Sequence, residues 1–316
     1  MPVIIVGSGR CGTSMVAGML AHCGLYLGGA ADLDDSSPNN AKGYWEHRTV
    51  RAITDRILQL VTEKYGAPGL APQGWHDDPD LAPMYADARE FVKALSANGE
   101  PWGWKYPQSS LILPFWREIV PDLKVVLCVR NPLDVVSSLV AYGRFGTREG
   151  ESIWLMNTMR TLLDTAPSER TVTFYEDYFP DFTTALFPVL DFVGLHRPKL
   201  GSELDKSLRE FHQSDLKHHS SSLQELFHDS HTPYLVKELY VELLGGMKDA
   251  SDVSLIKYAD LFMPFVARSV AGDAADHERR HLKEILDSRT HRVASAICKL
   301  MIQSRPAKMT ASVRRA

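Results

Sequence analysis

Arg10 stands inside Gly7-Ser-Gly-Arg-Cys-Gly12, and Thr13 and Ser14 follow it. Glycines let backbone N–H groups approach a ligand closely, and a guanidinium adds charge, so this set suits an anion. Arg130 and Ser138 make a second set, an arginine fork and a hydroxyl fit for a terminal phosphate. Glu46 and His47, directly after Tyr44 and Trp45, form a third. A carboxylate or an imidazole can take a proton from an acceptor. Lys105 is a fourth candidate, a cation in Trp102-Gly-Trp-Lys-Tyr-Pro107.

The elements that must position these groups are legible around them. Val3 to Val6 is a short apolar, mostly β-branched run, as in a buried central strand. The glycines end it. From Thr13 the apolar residues Met15, Val16, Met19, Leu20 and Cys23 recur at helical spacing, and Gly24 stands where a glycine stops a helix. Strand, glycine turn and helix N-terminus in succession aim backbone N–H groups and the helix dipole at one point. Three templates fit the letters. Gly7-x-Gly9-x-x-Gly12 matches a dinucleotide fingerprint, but that pattern wants a strand ending in an acid about twenty residues on, and Asp32 supplies this poorly. An ATP/GTP loop wants a lysine where Thr13 stands. The third template keeps the loop and places its cation inside, as Arg10. A glycine turn without a ligand is the structural alternative.

Residues 28–43 are turn formers and acids, a surface loop that leads to Gly43-Tyr-Trp-Glu-His47. Residues 50–61 have the spacing of an amphipathic helix. Glu46 can line a pocket mouth, or simply favour the positive end of that helix. Residues 65–80, with three prolines and three glycines, are irregular, and 81–95 is a helix. Trp102 to Lys105 reads as a strand, and Lys105 at its carboxyl end is placed as ligand contacts are in doubly wound sheets. Lys124 to Arg130 is the clearest strand after the first. Asn131 as N-cap, Pro132 at N1 and Asp134 in the first turn then start a helix. At about 100° per residue, Ser138 returns to the face of Asn131 and looks toward the corner that holds Arg130. An ion pair of Arg130 with Asp134 is the plainer reading. Residues 171–174 form a further strand and 183–193 a helix. Residues 201–230 carry His212, His218, His219, His228 and His231, which read as a solvated polar loop and not a metal site. Residues 253–266 and 277–303 read as helices, the latter with an apolar stripe long enough to cover its own domain or a second copy as a homodimer.

Composition is that of a folded globule: 316 residues, 44% hydrophobic and 23% charged, with net charge −4. No basic field recruits nucleic acid or anionic lipid. The cysteines at 11, 23, 128 and 298 are far apart, which disfavours a disulfide framework or zinc ribbon and fits a reducing compartment. No apolar run approaches about 18 residues, so no membrane span and a cytoplasmic location are expected. The expected organisation is an α/β domain over 1–250 and a helical extension over 251–316 with a basic, disordered tail.

Taken together, the two anion corners closely resemble the sulfotransferase family, which uses 3′-phosphoadenosine 5′-phosphosulfate as donor. The resemblance covers about residues 1–230. It implies a P-loop-like α/β fold, a three-layer parallel sheet with helices on both faces. The loop Gly9, Arg10, Cys11, Gly12, Thr13 and Ser14 is similar to the family's 5′-phosphosulfate loop. Val129-Arg-Asn-Pro-Leu-Asp-Val-Val-Ser-Ser138 is similar to its 3′-phosphate corner, held by arginine and serine. Asn39-Asn-Ala-Lys-Gly-Tyr-Trp-Glu46 looks like the acceptor side of bacterial members, which implies Glu46 as general base, with His47 second. Trp104-Lys-Tyr-Pro-Gln108 resembles a stretch that bacterial members often write Lys-Asp-Pro-Arg; Tyr106 and Gln108 depart from it. The family's chemistry implies Arg10, Lys105 and Glu46 as catalytic, 3′-phosphoadenosine 5′-phosphate as product, no metal, and a small-molecule, lipid or carbohydrate acceptor. The competing classes are a P-loop-type nucleotide kinase, which needs a metal-coordinating acid, and a non-catalytic nucleotide-binding protein, which has no use for Glu46.

Overall fold

The computed structural model describes residues 1–36, 42–99, 101–141, 145–212 and 220–246. Four parallel strands form its centre: β1 (Pro2–Gly7), β2 (Trp102–Lys105), β3 (Lys124–Val129) and β4 (Arg170–Phe174), in spatial order β2-β1-β3-β4. Ile4 lies opposite Trp104 on one side and Val125 on the other. Val3 to Val6 are fully buried, as an apolar run in a strand covered on both faces requires. Parallel neighbours need long crossovers, and these carry the helices. They are α1 (Thr13–His22), α2 (Arg48–Tyr65), α3 (Ala82–Ser96), α4 (Leu113–Ile119), α5 (Pro132–Ala141), α6 (Thr147–Leu163), α7 (Phe182–Phe192), α8 (Glu203–Phe211), α9 (Leu223–His228) and α10 (Tyr234–Leu244). α1 packs on β1 and β2, and α7 on β4. α6 packs on β1 and β3 and against α5. The result is the expected three-layer α/β fold with helices on both faces of a parallel sheet.

One stretch differs from the sequence expectation, and α6 lies where the sequence carried no expectation. Residues 201–230 are not one solvated loop, because α8 and α9 occupy much of them. Leu208 and Leu226 are their fully buried anchors, and the polar residues around each turn masked the pattern. Ser202 and Ser222 cap the two helices by accepting the N–H of Asp205 and Glu225. α6 shows no clean apolar stripe because it is buried on most sides, polar residues included. Thr158 and Thr161 hide their hydroxyls by donating to the carbonyls of Trp154 and Asn157 one turn earlier. The helical extension expected over 251–316, its apolar stripe and the homodimer it would serve lie outside the described residues, as do His218 and His219. No described helix is long and apolar enough to cross a membrane.

At the end of β1 the chain must turn while pressed against β3. Gly7 has φ 144°, and a Cβ there would stand 2.3 Å from the Cys128 carbonyl oxygen. Gly7→Ala therefore combines a strained backbone with an overlap that only strand separation relieves, and should cost about 3 kcal/mol of stability. Urea unfolding measures this; a loss under about 1 kcal/mol would contradict the packing described.

Candidate active site

The loop between β1 and α1 is held from below and open from above. Gly12, at φ 83°, is the N-cap of α1, and as a glycine it brings no side chain to that helix end. A glycine there lets a ligand approach the helix end closely, as an anion site needs. Tyr175 closes on Gly12 so tightly that a Cβ would meet its ring at 2.4 Å. Arg10 has φ 70°; among the described non-glycine residues only Arg10 and Trp45 have positive φ. Both flank the chemistry, where backbone strain tends to persist. The twist at Arg10 sends its guanidinium across to the second corner, where Nε donates to Ser138 Oγ at 2.9 Å.

That second corner is built as the sequence indicates. Asn131 Oδ1 accepts the Leu133 N–H at 3.0 Å and Pro132 begins α5. Arg130 is 6% exposed and donates from Nη1 to the Arg10 carbonyl at 3.3 Å. Its guanidinium lies 4.3 Å from the centre of the Tyr175 ring, and Nη2 is 3.6 Å from Asp134 Oδ2. The plain reading of Arg130 as a partner of Asp134 and the reading that joins it to the loop are therefore both met. The structure brings Arg10, Arg130 and Ser138 into one connected group.

Lys105 is the third component. It ends β2, is 1% exposed, and donates from Nζ to Glu46 Oε1 at 2.5 Å and to Ser14 Oγ at 3.2 Å. Ser14 Oγ in turn lies 3.2 Å from the Tyr44 carbonyl that accepts from it. Burial pushes the Lys105 ammonium below its usual range, and the Glu46 carboxylate pulls it back. Glu46 reaches this position because its segment runs parallel to the end of β2 and bridges Lys105. His47 is the next residue on that extended segment and faces the other way. Its Nδ1 accepts the Thr49 N–H at 3.3 Å as the N-cap of α2, and its ring meets Phe91 edge-on at 4.8 Å. Burial lowers its pKa against the opposing pull of Asp32 and Asp34. Glu46 is thus joined to Lys105 and the loop; His47 is committed to capping and packing.

Among the loop residues, Cys11 turns inward. Its N–H donates to the Ser8 carbonyl at 3.2 Å, and its thiol is buried and pushed up to about 12, so it packs as a neutral group. Tyr175 and Trp154 are partners that no role assignment from the sequence anticipated. Trp154 Nε1 donates to the Arg130 carbonyl at 3.1 Å, which fixes the corner from α6. Nothing local to Trp154 marks it.

Residues 2–199 match the model of the sulfotransferase family, and the chain belongs to that family. No curated protein sequence matches it. Solved structures similar to it include the sulfotransferase STF9 from Mycobacterium avium, 14% identical, with 78% of this chain and 76% of that chain covered and a TM-score of 0.46. The sulfotransferase domain of the Synechococcus PCC 7002 olefin synthase is 19% identical over 83% and 94% of the two chains, with a TM-score of 0.45. The sulfotransferase domain from the curacin biosynthetic pathway is 17% identical over 68% and 80%, with a TM-score of 0.42. Membership in the family supports sulfotransferase activity in general.

The Lys105–Glu46 pair has a consequence for stability. Removing one member of a buried pair leaves the other charge uncompensated, whereas removing both is far milder. Since Glu46 is 14% exposed, Glu46→Gln should cost about 2–3 kcal/mol at neutral pH. The double variant Glu46→Gln, Lys105→Met should recover most of it, as denaturant unfolding would read. Because the folded Lys105 pKa lies below its unfolded value, the cost in Glu46→Gln is present while Lys105 is charged. It should shrink as pH rises toward the unfolded lysine range near ~10.4. Additive losses in the double variant would contradict the pairing.

Proposed function

We propose that this protein transfers a sulfuryl group from 3′-phosphoadenosine 5′-phosphosulfate to an acceptor hydroxyl. The observation that carries the reading is the joint contact of a buried cation, a carboxylate and the loop: Lys105 bonded to both Glu46 and Ser14. The fit of the donor rests on the glycine N-cap of α1 beside Arg10, and on the Arg130–Ser138 corner joined to it. The amides of Gly12 to Ser14 would hold the 5′-phosphate, and Arg130 with Ser138 the 3′-phosphate. The donor supplies the sulfuryl group when bound. Arg10 and Lys105 then stabilise negative charge on the departing side, where fixed cations in a dry site act most strongly. Glu46 accepts the proton of the acceptor hydroxyl. A kinase-like reading is weaker, because Thr13 replaces the lysine that such a loop uses.

Two expected outcomes test the assignment. Arg130→Ala should weaken binding of 3′-phosphoadenosine 5′-phosphate by about 2–4 kcal/mol and leave adenosine 5′-phosphosulfate, which lacks the 3′-phosphate, nearly unchanged. Comparing two ligands on one variant cancels any general loosening from the stranded Asp134. Equal losses for both would refute the corner's role. For the base, Glu46→Gln should reduce the transfer rate by roughly 10²–10⁴ with donor affinity within about twofold, measured on the folded fraction. His47→Ala should keep most of the rate; the reverse pattern would move the role to His47.

A further inference from the structure

Tyr106 and Gln108 are the residues by which this chain departs from the family's Lys-Asp-Pro-Arg, and the structure shows what they touch. The Tyr106 ring is buried and its hydroxyl lies 2.7 Å from Asp55 Oδ1 and 3.1 Å from the Gln108 side-chain amide. One phenolic proton cannot serve both equally. The charged carboxylate, at the shorter distance, takes it, and Gln108 Oε1 is the longer, secondary acceptor. We propose that the Tyr106–Asp55 hydrogen bond is a strut that holds Glu46 in register with Lys105, which makes Tyr106 a positioning residue for the transfer reaction; this rests on the function proposed above.

Lys105 ends β2 and Tyr106 is the next residue, while Glu46 lies just before α2 and Asp55 two turns into it. The start of α2 is therefore tied to the end of β2 at two points, Glu46 to Lys105 and Asp55 to Tyr106. The apolar face of α2 (Val50, Ile53, Ile57 and Val61) packs it into the core, and the two ties add a polar restraint between it and the end of β2. A third, longer approach sits behind them, Thr54 Oγ1 at 3.4 Å from Ser109 Oγ. The backbone of Glu46 is held separately, since its carbonyl accepts the Asp34 N–H at 2.8 Å and Arg51 pairs with the Asp34 carboxylate. The Tyr106 bond adds a second tie between the end of β2 and α2, beside the Glu46–Lys105 bridge. Burial, with Asp55 beside it, pushes the Tyr106 phenol well above its usual range, so the proton stays on the phenol and the bond stays charge-assisted.

The test uses Tyr106→Phe, which keeps the buried ring, Asp55→Ala, whose site is at the surface and which removes the acceptor, and the double variant. The first readout needs no turnover: acetylation of Lys105 with acetic anhydride, followed by mass spectrometry. Each single variant should raise labelling of Lys105 about tenfold, the opening that loss of one charge-assisted hydrogen bond allows. The second is kinetic: kcat should fall about tenfold with donor affinity within about twofold, and the double variant should be no worse than either single, because one bond is lost in all three. Unchanged Lys105 labelling, or single effects that multiply in the double variant, would overturn the strut. A parent protein that transfers no sulfuryl group would refute the proposed function instead, and the labelling would still decide the strut.

Discussion

An ammonium group taken out of water must find compensation, because the penalty is several kcal/mol per ion. Lys105 is that group here, and the site is arranged around it. Three separate parts of the chain meet at its Nζ: the end of β2 that carries it, Ser14 in the first turn of α1, and Glu46 at the entrance to α2. β2 and β1 are hydrogen-bonded neighbours, so Lys105 and the anion loop emerge side by side from one edge of the sheet. The core beneath, from Val3 to Val6 and through Trp104, is fully buried and sets their spacing. The pairing of Lys105 is thus the point at which fold stability and chemistry constrain the same atoms.

The anion corners obey a different logic. Arg10 holds a neutral partner, the Ser138 hydroxyl, whereas Arg130 donates to the Arg10 carbonyl and lies 3.6 Å from the Asp134 carboxylate. A hydroxyl partner fixes the direction of the Arg10 guanidinium, and an anion would bond that charge more strongly than the hydroxyl does. The backbone twist at Arg10 and the ring of Tyr175, wedged between Gly12 and Arg130, hold the two corners together ahead of any ligand. Prearranged donors of this kind lower the cost of ordering on binding.

How far the sequence revealed this depended on whether a feature was local. The β1 loop, the Asn131-Pro132 helix start and the closing Gly24 are short-range signals, and each element formed as its letters suggest. The approach of Ser138 to the Arg130 corner was legible because helix geometry carries it over two turns. The pairing of Glu46 with Lys105 joins residues 59 apart, and nothing local to either distinguishes it from a helix-end acid and an exposed lysine. Tyr106 with Asp55, at a separation of 51, is of the same kind. Within 201–230, α9 has one buried anchor and too little apolar stripe to stand out, whereas α8 carries Leu204, Leu208 and Phe211 at helical spacing, a short signal within a polar segment.

The central claim is that the two corners form one donor site selective for a 3′-phosphate, and a calorimetric titration tests it most directly. 3′-Phosphoadenosine 5′-phosphate, ATP and NAD are each titrated into the protein, with and without Mg²⁺. The account predicts that 3′-phosphoadenosine 5′-phosphate binds at least about 100-fold more tightly than ATP or NAD, the worth of two or more charge-assisted contacts, and that Mg²⁺ leaves this unchanged. ATP binding that tightens with Mg²⁺ and matches or exceeds that of the bisphosphate would contradict it.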